Sequence, residues 1–582
     1  MGTQHEYTLP ELLPLPGLEQ TIEKYLERVR PLVTQAEYDA AEQKARRFAE
    51  GGGRSLHGKL EEFAKSAPGS WLTGIWLNKY LAYRGELSSN MNYLTTLDTT
   101  KIPRRGSFAE FAAALVSAFT KVYVQSAGRS LPQESGRSGP LCMEQYKYAF
   151  GACRIPRPEH DELYVGDRSL ENAHVIILCH ENIYTLAVTG ADGAPLSIAG
   201  LSKGIAQILE SGDAPSPNVG TMTAAPREDA AKLYQRLCGL DARNSENFGL
   251  INKALFALCI DHAGERSLDK STFDKLYGYG KNRWFDKCFQ LIVGTDYTVG
   301  FNNEHTAYDA AVWMSILQNA YGNLAGEDDG AGAAAEPAAL RIEWTTDQAV
   351  LDAIQNMEEI DMARGKTILL RTSIFDSFGS SGIKELKSSP DAFFHLALQM
   401  AWFRQNGRLD STYEAVSMRQ YHQGRTECMR PSTTAVLDFV LAYRDGLAQE
   451  DLERLARAAF DLHVGMIGQC QAGNGPERHL TGLQAMAAMN GVTLNSDEDI
   501  FADSAYVRLK HDTISSSGLG AKGLELFAFG PVVDDGFGVG YVIDSDSIRL
   551  CISCMEQSKD KLEPFVQDIG TALRDLRGLL QK

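Results

Sequence analysis

The chain has 582 residues, 44% of them hydrophobic and 23% charged, with a net charge of −18. These proportions are those of a globular chain that buries large cores, in two to four domains or two large ones. The acidic balance excludes a general nucleic-acid binder, whose phosphate contacts need a basic excess, but it allows an anionic ligand in a local basic pocket.

Leu18, Ile22, Tyr25, Leu26 and Val29 recur at helical spacing and predict an amphipathic helix over 18–31. A second helical pattern covers 37–49, and an apolar, aromatic block runs from Trp71 to Tyr83. Residues 174–178 and 183–188 read as strands, followed by an Ala191-Asp192-Gly193 turn and a helix at 204–209. Phe289 to Val293 is strand-like and leads into a polar, glycine-containing segment, 294–303. Ala325 to Ala339 is rich in Ala, Gly, Asp and Glu and reads as a mobile linker, which puts a boundary near 325–345. A helix follows at 391–405, then strands at 523–529, 538–543 and 547–552, and a last helix at 562–580. The alternation of strands and helices predicts an α/β or α+β fold.

Ten cysteines are scattered through apolar runs, as in Ile176-Ile177-Leu178-Cys179, and read as buried thiols in a reducing compartment. Cys551 and Cys554 form a CxxC in an alternating strand, with no second pair at zinc-like spacing, so no metal site is expected. No run reaches the roughly 20 apolar residues of a membrane span. Neither a secretory leader, a transit pattern nor a peroxisomal tripeptide is visible, so a cytoplasmic location is expected.

Five segments carry chemistry. Gly200-Leu201-Ser202-Lys203-Gly204 fits the serine-hydrolase elbow, but a hairpin precedes it and Ser202 reads as a helix cap. In Glu304-His305-Thr306-Ala307-Tyr308-Asp309 a histidine stands between two acids, as a poised base does; a packing histidine is the alternative. Ser380 to Asp391 offers serines, glycine, Lys384, Lys387 and free amides at a helix start; this suits a phosphate, and equally a solvated loop. Thr412 to Arg419, Gly424-Arg425-Thr426 and Arg430 put three arginines beside hydroxyls, a set able to hold a carboxylate, or else a polar helix face. Ser515-Ser516-Ser517-Gly518 before the apolar run to Phe529 offers hydroxyls to an oxyanion, or an ordinary turn.

In this order and spacing the segments resemble the carnitine/choline acyltransferase family across nearly the whole chain. Leu12-Leu13-Pro14-Leu15-Pro16-Gly17-Leu18, Trp76-Leu77, Tyr80-Leu81, Pro140 to Tyr146, Cys153-Arg154-Ile155-Pro156, Asn282 to Lys287 and Phe529-Gly530-Pro531 to Gly538 carry the resemblance too. It implies an α/β fold of two domains, each a mixed sheet with flanking helices like chloramphenicol acetyltransferase, and an active-site tunnel between them. The expected divisions are a helical segment 1–67, a domain 68–345 with the histidine, and a domain 346–582 with the substrate contacts.

The resemblance makes His305 the general base, Asp309 the carboxylate that orients it, and Ser517 the oxyanion-side donor. Ala310 stands where the family usually has glycine. The substrates implied are coenzyme A or its acyl thioester, as co-substrate rather than resident cofactor, and carnitine, acylated by direct attack without an acyl-enzyme. Thr426 and Arg478 match carnitine-using rather than choline-using members. Tyr413 and Ser515 match further carboxylate contacts, Phe529 faces the trimethylammonium, and Tyr80 joins the acceptor pocket. Phe527 stands at the acyl gate where long-chain members have glycine, so a short acyl group, acetyl, is expected; small Ala528 beside it leaves medium chains open. Lys384 matches a lysine that meets the coenzyme's 3′-phosphate, and Asp391 an aspartate near the adenine. The companion lysine is replaced by Ser380, with Lys387 compensating in part, so a weaker grip with a flatter salt dependence is expected. A monomer is expected.

Overall fold

Local signals set the helices that frame the molecule. Thr34 and Glu37 form a reciprocal capping box that starts the helix Gln35–Glu50. Ser107 and Glu110 do the same for the buried helix Phe108–Ala127. Pro390 follows the Ser389 cap of Pro390–Asn406, and Gly407 closes that helix in the left-handed conformation at φ 68°. The computed structural model describes residues 5–102, 104, 106–262, 266–325 and 337–581. The core of the linker expected at 325–339 lies outside them.

Fourteen strands build two large mixed sheets. In chain order they are β1 (Tyr93–Leu97), β2 (His174–Cys179), β3 (Asn182–Ala187), β4 (Ala257–Asp261), β5 (Phe289–Gly294), β6 (Val299–Asn303) and β7 (Leu340–Arg341). After them come β8 (Ile368–Phe375), β9 (Thr412–Ser417), β10 (Thr426–Met429), β11 (Ile514–Gly518), β12 (Leu524–Phe529), β13 (Phe537–Ile543) and β14 (Ile548–Met555). The first sheet runs β7-β3-β2-β4-β5-β6-β1-β12 and the second β8-β14-β13-β11-β9-β10. The fold is therefore mixed α/β with two sheet-bearing halves. Among the described residues, no helix is long and apolar enough to cross a membrane.

Strand β12 ties the halves together. It lies late in the chain yet pairs antiparallel with β1, Tyr93 opposite Phe529 and Thr95 opposite Phe527. It also crosses β13 closely: a Cβ on Gly540 would stand 2.0 Å from the Phe527 carbonyl, so only glycine admits the crossing. The early helices pack on the second half of the chain. Leu18, Ile22, Tyr25 and Phe48 share one core with Phe393, Leu480 and Phe565, not with the first sheet.

Several expected boundaries move. The helix predicted at 204–209 begins at Ile198, and its cap is Ser197, whose Oγ accepts from the Gly200 amide at 3.1 Å. Ser202 lies inside this helix and donates to the Ala199 carbonyl, so it is neither cap nor elbow nucleophile. The polar segment 294–303 contains strand β6. Thr412–Ser417 and Ile514–Gly518 are strands, not a helix face and a turn. Cys551 and Cys554 are buried, free, and three apart in a strand, hence on opposite faces.

Candidate active site

Strand β6 delivers the loop 304–309, and the helix Ala310–Ala325 leads away from it. At its centre His305 Nδ1 lies 3.0 Å from the Tyr308 carbonyl. A carbonyl only accepts, so Nδ1 carries the proton and Nε2 keeps its lone pair. The rings of Tyr80 and Tyr93 meet the imidazole edge-on at 5.6 and 5.1 Å. Burial lowers the histidine's pKa below its ordinary value, with Asp309 pulling the other way and Arg425 adding to the fall. The side chain keeps 28% exposure, so a substrate can reach the ring.

The two flanking acids have separate roles. Glu304 turns away: it accepts from the Thr306 amide and hydroxyl and lies 3.8 Å from Arg154. Asp309 Oδ1 is 3.9 Å from Nδ1, beyond hydrogen-bond distance, so the atom that orients the ring is the Tyr308 oxygen. Asp309 instead forms a two-point ion pair with Arg425, at 2.9 and 3.1 Å, and accepts from Gln145 Nε2 at 3.0 Å. Burial works against its charge, but Arg425 prevails and its pKa is lowered. Arg425 also donates to the carbonyls of Thr306 (2.9 Å) and His305 (3.4 Å), so one guanidinium fixes the whole loop.

The second sheet supplies the facing wall. Tyr413 is in register with Ser515, Ser417 with Thr426, and Ser517 lies two residues beyond Ser515. With a side-chain period of two, Tyr413, Thr426, Ser515 and Ser517 share one face. Among the described residues the hydroxyls of Ser515 and Ser517 have no partner in the protein, so both are free for a ligand. Ser516, on the other face, donates to Glu414 and to the Tyr413 carbonyl.

Of the three arginines considered as carboxylate holders, each has a carboxylate of the protein's own. Arg419 pairs with Glu134, Arg425 with Asp309, and Arg430 with Glu477 and Asp512. Arg478 differs. It is 3% exposed and makes no ion pair among the described residues. Its guanidinium donates to the Thr426 carbonyl (2.8 Å), to the Tyr413 hydroxyl (2.9 Å) and to Thr426 Oγ1 (3.1 Å), and it lies 4.0 Å over the Trp76 ring. Glu427 acts on it from nearby, its carboxyl accepting from the Arg478 amide at 3.2 Å without an ion pair to the guanidinium, and such a buried cation still suits an anionic group.

Phe527 is buried, its ring 5.9 Å from Tyr93, which itself meets the histidine, and 5.2 Å from Phe529. Ala528 points the other way, into a separate cluster with Leu94, Tyr277 and Ile368. Its small size therefore opens no room at the Phe527 side.

Ser380 and Lys384 lie on the short helix Ser380–Glu385, and Lys387 just past its end. At the start of the short helix Ser380 and Ser381 donate to the carbonyls of Asp544 and Ser545, and at the start of the following helix Pro390–Asn406, where free amides were expected, Ser389 Oγ accepts from the Ala392 amide. Lys384 and Lys387 are exposed and make no ion pair among the described residues. Asp391 accepts from His463 Nε2 at 2.8 Å and the Tyr541 hydroxyl at 2.6 Å, and despite burial these hold its pKa well below the carboxylate range.

Among the described residues, Asp391, His395 and Glu414 are the group whose metal-ligand atoms come within 4.8 Å of one another. Those atoms already bond each other and Tyr541: His395 Nε2 lies 3.0 Å from Glu414 Oε2 and 3.2 Å from the Tyr541 oxygen. The set is a hydrogen-bond network in which these ligand atoms are already taken.

Three supporting residues escaped assignment from the sequence. Arg425 and Gln145 hold the histidine loop, and Trp76 carries Arg478; all three lie within motifs noted above, but nothing local revealed their partners.

The family model described as Choline/Carnitine o-acyltransferase matches residues 13–571. Carnitine O-acetyltransferase of Columba livia is 30% identical over 608 residues, covering 99% of this chain and 94% of that protein. The mitochondrial Carnitine O-palmitoyltransferase 2 of Xenopus tropicalis is 28% identical over 624 residues, covering 100% and 93%. Choline O-acetyltransferase of Drosophila melanogaster is 27% identical over 642 residues, covering 98% and 88%. The chain belongs to the choline/carnitine O-acyltransferase family.

Proposed function

We propose that this member of the family moves a short acyl group, acetyl first, between the thiol of coenzyme A and the hydroxyl of carnitine, with His305 as general base. The observation that carries the choice of acceptor is Arg478. Its unpaired, buried guanidinium beside Thr426 and Tyr413 suits the carboxylate that carnitine has and choline lacks.

The mechanism follows from the tautomer. His305 Nε2 takes the proton of the carnitine hydroxyl as the oxygen attacks the thioester carbonyl. The Ser517 hydroxyl donates to the developing oxyanion. Collapse breaks the carbon–sulfur bond, and the leaving thiolate recovers the proton from Nε2. The reverse reaction uses the same groups with the thiol as nucleophile. A positioned base of this kind contributes about 10²–10⁴-fold, and one oxyanion donor about 10²–10³-fold.

The short acyl group rests on Phe527, whose ring fills the space beside Tyr93, the ring that meets the histidine. Coenzyme A meets Lys384, Lys387 and Asp391 at the edge of the second sheet in this reading, and Phe529 and Tyr80 line the acceptor side.

The test is thiol release from acetyl-CoA by the purified chain. Turnover with carnitine that His305→Ala reduces by at least about 10²-fold supports the reading. Turnover with choline alone, or with palmitoyl-CoA alone, sinks it.

A further inference from the structure

Lys387 has the backbone of a residue that ought to be glycine. It sits just after the helix Ser380–Glu385 with φ +55°, and its amide donates to the Lys384 carbonyl at 2.9 Å. This is the left-handed helix-ending position, where a side chain is strained and glycine is not. A lysine kept there, its ammonium exposed and unpaired one turn from Lys384, is strain held at a site that needs the charge.

Arg457 holds that strain. It stands on the neighbouring helix Gln449–Gln471, and its Nη1 donates to the carbonyls of Leu386 (2.7 Å) and Lys387 (3.5 Å) and to Ser388 Oγ (2.9 Å). Its other nitrogen lies 3.6 Å from Glu453, which steadies the guanidinium. Six residues further along the same helix, His463 fixes Asp391. One helix thus braces the segment 384–391 at 386–388 and again at 391. The start of the short helix offers no substitute grip, because its first amides are occupied and Ser380 carries no charge.

We propose that Arg457 is a positioning residue for phosphate recognition: it locks 386–388 in the turn that presents Lys387 beside Lys384, and this pair grips the phosphate monoester of the coenzyme. The cation missing at 380 is thereby supplied from the opposite end of the helix. The inference rests on the coenzyme reading above, but it makes a separate demand, that discrimination for the phosphate depends on a residue that does not touch it.

The experiment compares acetyl-CoA with its 3′-dephospho analogue at saturating carnitine. In the unaltered chain KM is lower for the phosphorylated form. Arg457→Gln raises KM for acetyl-CoA about tenfold, leaves kcat within about twofold and leaves the dephospho form unchanged; Arg457→Lys recovers part of the loss. Lys387→Gly gives the same loss of discrimination with an unchanged or higher Tm, because glycine relieves the left-handed backbone. The proposal is overturned if Arg457→Gln raises both KM values together, or if Lys387→Gly leaves their ratio intact while Lys384→Ala abolishes it. Absence of turnover with either thioester in the unaltered chain instead overturns the reading of the function, and with it this proposal.

Discussion

Arg425 and Asp309 meet by two hydrogen bonds, 2.9 and 3.1 Å long, across 116 residues of sequence. Arg425 immediately precedes Thr426, which touches Arg478; Asp309 ends the loop that carries His305. The wall that would hold the acceptor and the loop that would hold the base are therefore fastened at one point. Both partners are almost wholly buried. Removing either leaves an uncompensated charge, at a cost of about 3–5 kcal/mol. Asp309→Asn and Arg425→Gln should each lower Tm and kcat, and the double variant should lose less than the sum of the two. Additive losses in Tm would show that the pair does not act as a unit.

The pH dependence has a sign that this geometry sets. The base works when Nε2 is unprotonated, so kcat/KM falls as pH drops through the histidine's pKa. Burial places that pKa below the ordinary 6.5, and the acid limb should lie below 6.5 accordingly. Asp309 favours the imidazolium, so Asp309→Asn should move the limb to still lower pH. Arg425 disfavours it, so Arg425→Gln should move the limb upward. Opposite shifts in a kcat/KM profile would bear this out; a common direction would not.

Arg478 should act on the acceptor and not on the coenzyme. Arg478→Met removes a charge-assisted contact worth about 1.5–3 kcal/mol, and kcat/KM for carnitine should fall by about 10- to 100-fold. Turnover of choline, which offers no carboxylate, should fall little or rise. KM for acetyl-CoA should hold in the same assay. Equal losses with both acceptors would remove Arg478 from the carboxylate site.

Phe527 should set acyl length. Phe527→Gly removes the ring between Tyr93 and Phe529 and should shift the preferred thioester from acetyl towards longer chains. The variant should also lose about 3–5 kcal/mol of stability, the usual cost of deleting a buried aromatic ring. An unchanged chain-length profile in a folded variant would refute the gate.

The helices and apolar strands were legible because their residues repeat with the period of the structure. Leu18 to Val29 gave a helix with a boundary close to that observed, and Phe289 to Val293 a strand. The strands that carry the candidate site were misread for a physical reason. In Thr412–Ser417 and Ile514–Gly518 the face that would normally be apolar bears Tyr413, Ser515 and Ser517, so the alternation that marks a strand is missing where a ligand would sit. The histidine stood out locally between its two acids, with a packing role as the alternative, and motif order decided between them; Arg478 was visible through motif order alone. What no local pattern contained was their partnership: Gln145 reaches Asp309 over 164 residues, and Arg478 reaches Tyr413 over 65.

Strand β12 also governs when the molecule can finish folding. The Leu526 amide bonds to Thr96 Oγ1 across 430 residues, so β1 keeps one open side until nearly the whole chain has left the ribosome. An unpaired strand edge is an aggregation hazard for as long as it waits, and contacts this far apart in sequence close slowly. During synthesis the sheet of the first half stays one strand short, with Tyr93 to Leu97 as its open edge in the interval.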